Sequence, residues 1–346
     1  MKTYQDIKLS VLDQSMIRQG FTASEAVEET IALAQRSDEL GFTRFWVSEH
    51  HNIPVIAGSS PAVLISKLAG VTKRIRVGAG GVMIPNHSSL TVAENFRMLE
   101  VLYPNRIDLG IGRAPGGDRV TAYLLNPSND NSNESFRKQL GELNMFFTDS
   151  AATSHGKILA IPQAATAPAQ WMLTSGGTAH LAGELGMGLG LPRFINPTIT
   201  PQAVERYREH FQPAAMFPEP KVALGVFVIC YDTEEQAQAM QKAMDLLFLQ
   251  MDSGKVLGLL PYEEVKDYQF APMELERLKF HRSKVVAGTV DSVKEQLMHL
   301  ANEFDIDEII ATVVSFTPEE KLHAVELLAN AFELQTRLQA TLADVQ

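Results

Sequence analysis

The chain has 346 residues, 45% hydrophobic and 21% charged, which is ample for a large core and typical of a soluble globular protein. Its 30 basic and 41 acidic side chains leave a net charge of −11, which argues against nonspecific binding to nucleic acid or to anionic membranes. With one cysteine, Cys230, there is no internal disulfide and no cysteine zinc site, and the reducing cytoplasm is the natural compartment.

The opening residues, Met1-Lys2-Thr3-Tyr4-Gln5-Asp6, carry no apolar leader, and no apolar run approaches a membrane span. The chain reads as cytoplasmic, with no membrane or nucleic-acid partner. In chain order, strand-like apolar runs occupy 9–12, 44–47, 75–79, 107–111, 171–174, 188–191, 222–231 and 308–314. Amphipathic stretches separate them, the pattern of a parallel sheet covered by helices.

The helix starts and stops have physical signals. Thr22-Ala23-Ser24-Glu25 is a capping box, and Gly41 supplies the left-handed stop before the next strand. Ser60-Pro61, Thr200-Pro201 and Thr317-Pro318 each place a cap before a proline at the first helical position. Eight β/α alternations favour an α/β fold of the closed (β/α)8 TIM barrel type, as a single domain over 1–346, rather than an open doubly wound sheet. The segment 252–283, with Gly254, Gly258, Pro261 and Pro272, breaks the rhythm. It is an insertion that either forms a mobile lid over the mouth or packs on the barrel wall.

Chemistry in this architecture gathers where strands end. The second strand ends in Glu49-His50-His51-Asn52, the third in Gly80-Gly81-Val82-Met83, the fourth in Gly112-Arg113-Ala114-Pro115-Gly116-Gly117-Asp118, and the fifth in Ser175-Gly176-Gly177-Thr178. The dinucleotide fingerprint G-x-G-x-x-G fails, because its last glycine is Pro115 in one run and Met83 in the other. Gly80 and Gly81 let a flat ring approach the backbone, or they fit the taper of the barrel.

Ser175, Gly176, Gly177 and Thr178 open a helix and suit a phosphate. Arg113 has a fork that matches phosphate oxygens, or it pairs with Asp118 or Asp108. Successive side chains on a strand point opposite ways, so only one of His50 and His51 reaches the cavity. The alternative is that His51, or even both, hydrogen-bond to backbone at the barrel mouth. Histidine is the ordinary proton-transfer group near neutral pH, and Glu49 is placed to tune it. No metal site is expected, since His87 lies in a different loop and there is no H-E-x-x-H motif.

Together, the run from Ser10 to Ser15, the run from Phe45 to Asn52, the run from Val77 to Met83 and the run from Arg106 to Gly116 resemble the bacterial luciferase-like flavin-dependent monooxygenase family. The resemblance is dense over the first third and collinear to Phe332. It implies a luciferase-like barrel that binds FMN, in reduced form and delivered by a partner flavin reductase, and uses O2 to oxidise a small organic substrate. It implies catalysis by His50 with Glu49 beside it, and a flavin ring over Gly80 and Gly81, with Met83 among the cofactor-binding residues. Arg113 and the loop Ser175, Gly176, Gly177 and Thr178 would hold the phosphate. A homodimer is also implied. The alternatives are a deazaflavin-dependent oxidoreductase and a noncatalytic flavin-storage protein. The chain departs from the family pattern at Met16, where proline is expected, and at Arg193-Phe194-Ile195-Asn196-Pro197, where a small-residue and histidine run is expected.

Overall fold

The computed structural model describes residues 2–128, 132–255 and 258–343. Its strands are β1 (Lys8–Asp13), β2 (Arg44–Val47), β3 (Arg76–Met83), β4 (Ile107–Gly112), a short hairpin of β5 (Ala152–Thr153) and β6 (Gly156–Lys157), then β7 (Ala169–Leu173), β8 (Gly188–Pro192), β9 (Val222–Tyr231), β10 (Val285–Thr289) and β11 (Glu308–Val313). The helices are α1 (Ala23–Leu40), α2 (Pro61–Val71), α3 (Ser89–Leu102), α4 (Arg119–Leu125), α5 (Asn133–Phe147), α6 (Ala179–Glu184) and α7 (Gln202–Glu209). After β9 follow α8 (Glu234–Asp252), α9 (Tyr262–Val265), α10 (Pro272–Arg282), α11 (Val290–Glu303), α12 (Pro318–Ala331) and α13 (Leu334–Ala343).

Parallel pairings run β1-β2-β3-β4-β7-β8-β9-β11 and return to β1, closing an eight-stranded barrel with helices between the strands. All eight expected strands are present. The third continues past its expected end through Gly80 and Gly81 to Met83, with a register shift against β4 between Ala79 and Val82. That irregularity hides the strand from a reading based on uninterrupted apolar residues. β10 was not foreseen; it pairs with the far half of β9, at Phe227 to Tyr231, beyond the stretch of β9 that pairs with β8.

The capping grammar holds where a hydroxyl can reach the helix. Thr22 accepts from Glu25 N while Glu25 accepts from Thr22 N at 2.7 Å, and Gly41 turns left-handed at φ 89°. At the start of α12 the Thr317 side chain accepts from Glu320 N. Ser60 makes no capping bond, and α7 begins at Gln202 with Pro201 itself at the cap, so the Thr200-Pro201 expectation is displaced by one residue.

The barrel floor is ionic rather than oily. Arg44, 7% exposed, donates to both Glu308 and Asp108; Arg76 and Trp46 Nε1 also donate to Asp108, at 2.8 and 3.0 Å. Burial opposes every one of these charges, yet the paired partners prevail, holding the Asp108 carboxyl low and the Arg44 guanidinium high. Trp46 and Trp171 lie above this layer, edge to face at 5.5 Å.

A second apolar cluster, built from the far half of β9, from α8 and from the insertion, stands beyond the barrel core. The insertion 252–283 includes residues 256 and 257, which lie outside the described residues. The rest is folded against α8: Val265 and Leu278 are fully buried, His281 bonds Asp252 at 2.9 Å, and Arg282 bonds Asp245 at 2.6 Å. This packing accords with the wall-packed reading of the segment.

Candidate active site at the carboxyl end of the barrel

The end of β2 is organised by Glu49, which is 1% exposed. Its Oε1 accepts from His51 Nε2 and from His87 Nε2, each at 2.8 Å, and its Oε2 accepts the backbone N–H of Met83 at 3.0 Å. Burial alone would push this carboxyl up. The hydrogen bonds of His87, His51 and Met83 outweigh it and hold the group below the ordinary carboxylate range. A buried carboxylate with donors on both oxygens is a fastener between strand ends.

His50 and His51, past the end of β2, part company. His51 turns to Glu49, while His50 Nδ1 bonds Ser48 Oγ at 3.0 Å. His50 Nε2 makes no hydrogen bond among the described residues. Burial pushes the His50 imidazole below its ordinary pKa, and the charge of Glu49 only partly offsets this. The ring is therefore neutral at neutral pH and able to take up a proton.

Sequence reasoning set His87 aside because it lies in another loop; the short helical turn after β3 brings it to Glu49. Glu49, His51 and His87 offer ligand atoms within 4.8 Å of one another. In the tautomers that carry a proton on Nε2, both imidazoles donate to the one carboxylate oxygen. Asn86, also missed, reaches from Glu49 to the carbonyl of Pro115. The glycine-rich loop after β4 then closes on this assembly. The carbonyl of Gly116 accepts from His51 N at 2.8 Å, and a Cβ on Gly117 would lie 2.6 Å from the carbonyl oxygen of His51.

Gly80 and Gly81 are joined by a cis peptide bond. A Cβ on Gly80 would lie 2.7 Å from Trp46, and one on Gly81 would lie 2.6 Å from Leu173 and 2.7 Å from the Gly110 carbonyl oxygen. The protein's own packing thus requires both glycines. Met83 lays its side chain on Gly112 and Gly116. A cavity of about 30 Å³ remains between Gly80, Leu173, Gly190 and Phe194, the volume of roughly one water. Phe194 stands in the departure after β8, against Gly225 and tilted on Phe227 at 5.4 Å.

Arg113 and Ser175 follow β4 and β7, which pair directly. Both side chains are exposed. Arg113 bonds Asn133, whereas Asp118 caps α4 and bonds Asn52, and Asp108 belongs to the floor. The salt-bridge reading of Arg113 is thereby removed. Gly176 has φ 104°, Gly177 has open space where a Cβ would be, and the Thr178 hydroxyl meets that of Thr174 at 2.8 Å.

The carboxyl end of this TIM barrel thus carries a partly buried histidine, a glycine-rich mouth, and an exposed arginine and a hydroxyl loop on two paired strand ends. The family model described as luciferase-like monooxygenase matches residues 7–305, and the chain belongs to that family of enzymes. It is 42% identical over 330 residues to the uncharacterized protein YwcH of Bacillus subtilis (strain 168), covering 94% of this chain and 99% of that one. It is 32% identical over 330 residues to the N-acetyl-S-alkylcysteine monooxygenase of the same organism, covering 94% and 98%. Among solved structures, apo-MsnO8 superposes with a TM-score of 0.88 at 33% identity, covering 95% and 99%. The fold alone is shared, with a TM-score of 0.66 in both cases, by a 3,6-diketocamphane monooxygenase from Pseudomonas putida in complex with FMN and by an F420-dependent secondary alcohol dehydrogenase, at 17% and 13% identity. No helix among the described residues is long and apolar enough to cross a membrane.

Proposed function

We propose that the chain is the oxygenase of a two-component system, taking reduced FMN from a separate flavin reductase and using O2 to oxidise a small organic substrate. One observation carries this reading beyond family membership: an exposed arginine and an open hydroxyl loop sit on two directly paired strand ends, a donor set suited to a phosphate monoester. Arg113 would hold the FMN phosphate with Ser175, Gly176, Gly177 and Thr178. When bound, the reduced flavin supplies the electrons that activate O2 and the site from which one oxygen atom passes to the substrate.

The chain's own residues do the rest. Gly80 and Gly81 leave the third strand end bare beneath the ring, and Phe194 swings out of the mouth, because the present cavity holds no more than about one water. His50 moves the proton through Nε2, its other nitrogen being engaged by Ser48. Glu49 keeps the ends of β2 and β3 in register. The protein works as a homodimer.

Anaerobic titration with reduced FMN, and in parallel with reduced deazaflavin, tests the proposal. Binding of reduced FMN, followed by oxygen uptake and substrate oxidation on aeration, is the expected result. Binding of the deazaflavin alone, or FMN binding with no oxidation of any substrate in the presence of a reductase, would overturn it.

A further inference from the structure

Glu49, His51 and His87 bring one carboxylate oxygen and two imidazole nitrogens within 4.8 Å of one another. No other three histidine, cysteine, aspartate or glutamate side chains meet in this way among the described residues. The spacing along the chain speaks against a metal only while His87 stands apart, and the turn Ile84–Asn86 removes that separation. Two imidazoles and a carboxylate are a ligand set of zinc sites that keep an open position, and the same set holds ferrous iron.

Each imidazole presents Nε2, which lies 2.8 Å from Glu49 Oε1. In a tetrahedral shell with bonds of about 2.0–2.2 Å, neighbouring ligand atoms stand about 3.3 Å apart. An ion among the three has to part each nitrogen from the oxygen by about half an ångström, which small rotations of the side chains supply. Neutral imidazoles then carry their proton on Nδ1, so none leaves the group. The outer contacts suit this role: Oε2 is held by the backbone N–H of Met83 at 3.0 Å, and the backbone N–H of His51 donates to the carbonyl of Gly116 at 2.8 Å. Bonds of that kind orient metal ligands. The His87 side chain, 30% exposed, gives an ion its way in, while Glu49 lies closed beneath it.

We infer that Glu49, His51 and His87 bind one divalent transition-metal ion of the zinc type, in preference to magnesium or calcium, whose hard ions favour oxygen shells. The ion takes the place of the two Nε2 protons as the link between the end of β2 and the stretch after β3. It stabilises the folded chain, because the three ligands come together only there. The site does not rest on the flavin reading.

The test titrates cobalt(II), a coloured stand-in for zinc, into the full chain carrying no added histidine tag. One equivalent should bind with the visible bands of a low-symmetry site, and zinc should displace it and raise the unfolding midpoint. Magnesium in excess should do neither. His87→Gln should weaken zinc by about tenfold or more. His87→Cys should keep cobalt and add the charge-transfer band of a thiolate, the native Cys230 being buried in β9. In the zinc-loaded wild type, X-ray absorption should show two imidazoles around the ion, which decides the matter even where a variant does not fold. No saturable binding, fewer than two imidazoles, or a His87→Cys complex without the thiolate band overturns the inference. Unchanged affinity in His87→Gln overturns it too, and would mean an adventitious ion only, held by surface groups such as His323 and Asp232.

Discussion

The backbone N–H of Met83 donates to the buried carboxylate of Glu49 at 3.0 Å, and this bond ties the end of β3 to the end of β2. Removing that carboxylate leaves three donors, from His51, His87 and Met83, without their acceptor. Glu49→Ala is expected to destabilise the fold by about 3 kcal/mol, read as a lower urea midpoint with an unchanged slope. An unaltered midpoint would mean that the strand ends are held by something else.

The same site sets an acid sensitivity with a definite sign. The folded pKa of Glu49 is depressed, so its contribution is complete above the ordinary value of about 4.3 and is lost as pH falls toward the lower folded value. The folded pKa of His50 is also depressed. The unfolded chain therefore takes up that proton first, and stability declines as pH drops below about 6.5. In activity, the acid limb assigned to His50 should lie below about 6.5, and His50→Gln should lose turnover while keeping flavin. An acid limb above that value, or full turnover in His50→Gln, contradicts the role given to this histidine.

Arg113 is exposed, and Asn133 is the only hydrogen-bond partner seen for it among the described residues. Arg113→Ala should weaken FMN by about tenfold or more and leave riboflavin nearly unchanged, because only FMN carries the phosphate. Equal losses for the two ligands would place Arg113 near the ring instead.

Phe194 occupies the mouth where a flavin ring would enter. If its displacement costs free energy, Phe194→Ala removes that cost, and FMN affinity should rise by up to about tenfold. Weaker binding in Phe194→Ala would show that the phenyl ring packs on the flavin rather than excluding it.

Far from the mouth, Asp108 balances Arg44 and Arg76 in the barrel floor. Asp108→Asn leaves Glu308 as the one carboxylate against Arg44 and the half-buried Arg76 and should cost about 3 kcal/mol, seen in thermal or denaturant unfolding. Any soluble Asp108→Asn protein should bind FMN normally, since the floor does not reach the mouth loops.

How much was legible follows from what each signal depends on. The barrel could be read because alternation of buried strands and amphipathic helices is a local property, and so could the capping of α1 by Thr22 and Glu25. β10 could not, because Val285–Thr289 is a short run after an irregular insertion and gains its partner only from the far half of β9. His87 was passed over because its sequence distance from Glu49 conceals a contact made across two strands.

By itself, then, the sequence determined the architecture, the family, and the strand ends on which polar groups gather, all of them consequences of periodicity and local motif. The tertiary structure alone decided what those groups do. Glu49 is fastened by donors from its own strand end and from the stretch 83–87 after β3, Arg113 is left free of both aspartates, and Phe194 sits opposite Gly80. Each outcome depends on which side chains meet across paired strands, and the register and closure of the barrel set those meetings, with no trace in the spacing of residues along the chain.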